Sequence, residues 1–298
     1  MGAGWRLLAY VALFGTFVVI GLALLTRIEL QLDLGALFLQ GIIVLVPALL
    51  AGWILLGFLD GRPPGALGFA WTPSAGRELG LGLFIGGGGL AAVVGALALA
   101  GLVRYESAPG TAGDFLFAVG LQFVVLAVAA AAEEALFRGY AYQVLVEAIG
   151  GIAATVVASG VFAAAHLANP NVAAMPVINI FLAGVLLSVA YLRTRSLWFA
   201  TAVHLGWNWT MASLLALPVS GIDFLPRPLY RGDLGEPTFL TGGPFGPEGG
   251  LAATVAMGIS LFLILAIPAV RPDPAMLRLR PLVDRRLGPR GAVDGERP

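Results

Sequence analysis

Eighteen consecutive residues, from Phe115 to Ala132, carry no charge. Then Glu133 and Glu134 arrive side by side, and Arg138 follows. An uncharged run of that length is a candidate membrane-spanning helix. An ionisable group at membrane depth costs roughly 2.5–3.5 kcal/mol on insertion scales, so two adjacent acids there need compensation. On a helix, Glu134 and Arg138 are four apart, share a face and can pair. Glu133 is rotated by about 100° from Glu134 and can point into a cavity.

The rest of the chain is of the same kind. Of its 298 residues, 59% are hydrophobic and only 11% are charged, against about 25% charged in a soluble domain. The expected fold class is all-α, a polytopic transmembrane helix bundle. Eight spans are expected, near residues 5–26, 36–58, 79–103, 114–137, 151–168, 176–192, 197–217 and 251–270. The N-terminal apolar run is too long for the core of a signal peptide and reads as the first span. With the N-terminus inside, 13 of the 17 Arg fall on inner segments. Arg27, Arg104, Arg227 and Arg231 fall on outer ones. That asymmetry follows the positive-inside rule, so both termini are expected in the cytoplasm.

Residues 1–270 are expected to form one membrane domain with its motif core at 114–217. Residues 271–298 then form a basic cytoplasmic tail, its Arg-rich half near anionic headgroups. The third span contains GLGLFIGGGG. No strand precedes it, so close helix packing through small residues is expected rather than phosphate binding. The stretch from Pro218 to Gly250, rich in Pro and Gly, reads as an irregular outer loop that partly covers a site.

Composition also excludes chemistry. The chain has no Cys, which removes disulfides, thiol catalysis and cysteine-ligated zinc. Every basic residue is Arg, which removes Schiff-base and Ser-Lys mechanisms. The net charge is zero, so no nucleic-acid partner is expected. Exclusive use of Arg over Lys suggests a GC-rich prokaryotic genome, and hence a multi-pass protein of its inner or plasma membrane.

Only two histidines occur, His166 and His204, and both lie in apolar spans. His204 and Asn208 are four apart and share a helical face. Polar groups in lipid must face the bundle interior or water, so the helices carrying them are expected to converge. Taken singly, each group has a structural explanation: a packed His, an interhelical amide, an ion pair. Taken together, a carboxylate and two imidazoles supply a general base and polarising groups for hydrolysis. An adjacent amide supplies a donor for an oxyanion.

Three motifs carry a family resemblance. EEALFRGY at Glu133–Tyr140 resembles the EExxxR motif of the CAAX prenyl protease and bacteriocin-processing family. FAAAH at Phe162–His166 resembles its FxxxH motif, and HLGWN at His204–Asn208 its HxxxN motif. They stand in family order, across about a quarter of the chain. The resemblance implies an intramembrane endopeptidase acting on a membrane-associated peptide or protein. Glu133 would activate water with help from His166. His204 and Asn208 would stabilise the oxyanion, while Glu134, Arg138 and Phe162 support the site. A metal-free glutamate mechanism is favoured, with no cofactor. The alternative is zinc held by Glu133, His166 and His204 as a His₂Glu set. Rival readings are a transporter or channel using intramembrane acids and histidines, and a non-catalytic membrane scaffold.

One expectation conflicts with the others. Straight spans would put Glu133 toward the inner end of one helix and His166 toward the outer end of the next. They can meet only if the Glu133 helix continues toward Ile149, or if the His166 helix is short and tilted.

Overall fold

The computed structural model describes residues 2–25, 34–223 and 226–282. The expected first outer loop with Arg27, and the tail beyond Leu282, lie outside the described residues.

Each expected span contains a helix. In order they are α1 (Ala3–Leu25), α2 (Leu34–Phe58), α3 (Ala75–Leu99) and α4 (Ala112–Phe137). Then come α5 (Tyr140–Ile149), α6 (Gly151–Ala165), α7 (Ala174–Thr194) and α8 (Leu197–Trp209). A π-helical turn, Thr210–Leu214, extends α8. The short α9 (Thr238–Thr241) precedes α10 (Leu251–Ala266) and α11 (Pro274–Arg278). Among the described residues, five helical stretches are long and apolar enough to cross a membrane, the α4–α5 stretch counting as one. This is a multi-pass membrane protein. At 1.5 Å per residue, the 15 residues of α6 reach only about 22 Å, short of the ~30 Å hydrocarbon core.

Small residues set how closely the helices approach. Gly82, Gly86 and Gly87 of α3 lie against α8. A Cβ on Gly86 would sit 2.0 Å from the Val203 carbonyl oxygen, and one on Gly206 would sit 2.5 Å from that of Leu83. The glycine-rich run of the third span is therefore a packing seam, as expected. Gly41 seats α2 against Val128 of α4, and Gly184 seats α7 against Ser159 of α6. Gly82 lies against Phe199 and Ala202, Gly86 against Val203 and Trp207, and Gly87 against Gly206 and Thr210, so α3 and α8 run parallel.

A two-stranded ribbon was not anticipated. Strands β1 (Val103–Ala108) and β2 (Leu229–Leu234) pair antiparallel, with Val103 opposite Leu234 and Ala108 opposite Leu229. The ribbon joins the connection after α3 to the long one after α8, at the end of the bundle where both helices finish.

At the other end, Arg6 anchors α1. Its guanidinium donates to Tyr140 Oη at 3.2 Å, pairs with Asp60 at 2.8 Å, and pairs with Glu147. The described part of the tail folds back here. Asp273 caps α11 by accepting from Ala275 N at 2.7 Å, and also accepts from Ser74 N at 3.1 Å.

Candidate active site

Helix α4 begins at a capping box. Thr111 Oγ1 accepts from Asp114 N at 3.2 Å, and Asp114 Oδ2 accepts from Thr111 N at 2.7 Å. The helix ends one turn beyond the two glutamates. Arg138 leaves helical geometry with φ −120° and ψ −2°, and α5 starts at Tyr140. Gly139 permits the close turn, because a Cβ there would sit 2.1 Å from the Ala135 carbonyl oxygen.

Glu134 and Arg138 are fully buried. Arg138 Nη1 donates to Glu134 Oε1 at 3.1 Å, and Nη2 donates to the Gly184 carbonyl of α7 at 3.0 Å. The guanidinium also lies 4.6 Å from the Phe162 ring centroid, a cation–π contact. His204 Nδ1 lies 2.9 Å from the same Glu134 oxygen. A carboxylate only accepts, so Nδ1 is the donor. One buried ion pair thus ties α4, α6, α7 and α8 together and fixes the ring of His204.

Glu133 is on the next face. Its side chain is one-third exposed, and its Oε2 lies 3.8 Å from His204 Nε2, beyond hydrogen-bonding reach. That Oε2 atom is buried and has no hydrogen-bond partner. His204 therefore stands between two adjacent carboxylates, bonded to Glu134 through one nitrogen and facing Glu133 with the other.

His166 lies just past the end of α6. Its Nδ1 is 2.8 Å from the Phe162 carbonyl oxygen, which can only accept, so in the neutral ring Nε2 is the acceptor nitrogen. Its ring centroid is 4.6 Å from that of Phe162, and Phe162 is 6.3 Å from His204. Phe162 separates the two imidazoles. The apolar stretch carrying Glu133 continues past the Gly139 break to Ile149 and α6 stops at Ala165, so both of the expected adjustments are present. Glu133, His166, His204 and Asn208 line one cavity of about 360 Å³, within the ~300–1,000 Å³ of ligand pockets. Asn208 is one turn beyond His204 and half-buried.

The structure does not bring every candidate into contact. His204, not His166, is the imidazole within 4.0 Å of Glu133. Among the described residues, no three His, Asp or Glu side chains converge as a metal-ligand group. The 3.8 Å between His204 Nε2 and Glu133 Oε2 is a separation that two ligands about 2 Å from one ion can have, but among the described residues His166 does not join them as a third ligand in this arrangement.

Two features escaped the sequence reading. Glu147, which no motif marks, is buried and paired with Arg6. Glu248, in the long connection after α8, also lines the cavity. Its Oε1 accepts from Trp207 Nε1 at 2.9 Å, and its Oε2 accepts from Ser220 N at 2.8 Å and Ser220 Oγ at 2.7 Å. The only hint was a single acid among the prolines and glycines of GGPFGPEGG.

Residues 115–210 match the family described as type II CAAX prenyl endopeptidase Rce1-like. The match covers 96 of the 298 residues, about a third of the chain, and contains all three motifs. It is the family that those motifs resemble. No curated protein and no solved structure matches the chain.

Proposed function

We propose that this protein is an intramembrane endopeptidase of the glutamate type in a prokaryotic cell membrane, hydrolysing a peptide bond of a membrane-associated protein or peptide. One observation carries the reading. Within the Rce1-like segment, Glu133 faces a cavity beside His204, whose far nitrogen is fixed by the buried Glu134–Arg138 pair.

The chemistry follows from who can give and take protons. Glu133 removes a proton from a water in the cavity, and His166 Nε2 accepts the water's other hydrogen bond. The water oxygen attacks the scissile carbonyl carbon, and the carbonyl oxygen becomes an oxyanion. His204 and the Asn208 amide donate to it. For His204 to donate from Nε2 while Nδ1–H bonds Glu134, it must be an imidazolium; Glu134 and the developing oxyanion supply the opposing charge, since Glu133 at that stage carries the water's proton. Glu133 then returns its proton to the leaving nitrogen. The C–N bond breaks, releasing an acid and an amine. General-base assistance of this kind contributes ~10²–10⁴-fold. Each oxyanion donor is worth about 2.7–4 kcal/mol.

The test is substrate identification. Membrane peptides are compared between cells carrying the wild type and cells carrying Glu133→Ala. The proposal expects fragments that appear only with the wild type. Identical peptide sets would contradict it.

A further inference from the structure

The cavity holds a second carboxylate that no motif supplies. Glu248 lies outside the family-matched segment, yet it is only 6% exposed and lines the same space as Glu133. Its position is firmly held. Trp207, the neighbour of Asn208, bonds one oxygen, and Ser220 bonds the other twice. The backbone beneath it is pinned to α7, where Asn179 Nδ2 donates to the carbonyls of Glu248 and Gly250 at 2.8 and 2.9 Å.

What Glu248 lacks is a cation. All three of its donors are neutral groups, and no ion pair among the described residues includes it. Glu134 is matched by Arg138, but among the described residues no Arg lines the cavity, and the chain has no Lys. A buried carboxylate without a counter-charge is unfavourable until one arrives. A carboxylate placed directly against Glu248 would be repelled by it. Complementary charge is a source of specificity at such a surface.

We infer that Glu248 is a specificity-determining residue of this cavity, selecting a peptide segment that places an Arg or Lys side chain against its carboxylate. The inference rests on the peptidase reading for its ligand class.

Binding can be measured apart from cleavage. The full-length Glu133→Gln protein is placed in nanodiscs of zwitterionic lipid. Three fluorescent apolar peptides are titrated, identical except for a central Arg, norleucine or Glu. The Arg peptide should bind at least about tenfold more tightly than the norleucine peptide, about 1.4 kcal/mol, and the Glu peptide most weakly. Adding Glu248→Gln should bring all three within about threefold of one another, whereas adding Glu248→Asp should keep the ranking. Equal affinities with Glu248 intact, or no binding at all, would overturn the inference without any further variant. A ranking that survives Glu248→Gln would also overturn it. If the ranking holds but the wild type cuts none of the peptides, the peptidase reading falls and the charge selection stands.

Discussion

Arg138 and Arg6 lie on the two sides of the Gly139 break, each buried among acids and beside a helix of the cavity. Arg138 is bonded to an acid on its own helix, and that acid holds His204. Arg6 reaches across the chain to Asp60, Tyr140 and Glu147. It holds α1, whose apolar residues Trp5, Val19 and Leu24 are exposed. The two clusters use the same residue types, yet one supports a cavity wall and the other clamps a peripheral helix. What separates them is the partner beyond the ion pair: an imidazole in one case, a tyrosine hydroxyl in the other.

The largest effect should come from breaking the inner pair. Arg138→Leu leaves Glu134 buried without its cation, a loss of about 3–5 kcal/mol. Thermal melting in detergent should show it, and Arg138→Leu/Glu134→Gln should recover part of the stability. Activity should not recover in the double variant, since His204 loses its carboxylate. Full recovery of activity would break the contrast.

A smaller effect is expected from Arg6→Leu. Arg62 lies close enough to Asp60 and Glu147 to interact with both, so the remaining acids keep a nearby cation. The expected loss is about 1–3 kcal/mol, that of a buried group left without its hydrogen bond. Turnover should stay near the wild-type rate. A collapse of turnover at wild-type stability would mean that α1 takes part in the reaction.

The smallest effect belongs to Asp273, outside both clusters. Asp273→Ala should lose about 0.5–2 kcal/mol as a helix cap. Hydrogen bonds from Ser74, and then from Ala275, hold its carboxylate below the usual range. The contribution is therefore present at neutral pH and above the ordinary carboxylate value. It fades as pH falls through the lowered folded value. Melting of wild type and variant between neutral and strongly acidic pH should show the two curves converging only at the acid end.

The same contrast explains what was legible beforehand. Glu134–Arg138 could be read because helical spacing alone places residues four apart on one face. Phe162 and His166 are likewise one turn apart, and their contact is local. The glycine seam was readable because small residues in a lipid-soluble helix have few uses besides close approach. The Arg6 cluster joins residues from three distant helices or turns, and no local pattern marks such a meeting. The β1–β2 ribbon and the approach of Glu248 to Trp207 are likewise set by tertiary packing. The depth of His166 depended on where α6 stops, and helix ends are the least regular part of an apolar pattern.

Glu133 is proposed as the general base of a metal-free peptidase. Glu133→Gln preserves side-chain shape and removes the proton acceptor. The decisive measurement is the single-turnover cleavage rate of an identified membrane substrate by purified wild type and Glu133→Gln, with zinc content determined on the same samples. The account predicts a fall of at least ~10²-fold, unchanged melting, and no stoichiometric zinc in either protein. Cleavage by Glu133→Gln at the wild-type rate would contradict the catalytic assignment, and near-stoichiometric zinc lost together with activity in His204→Ala would contradict the metal-free one.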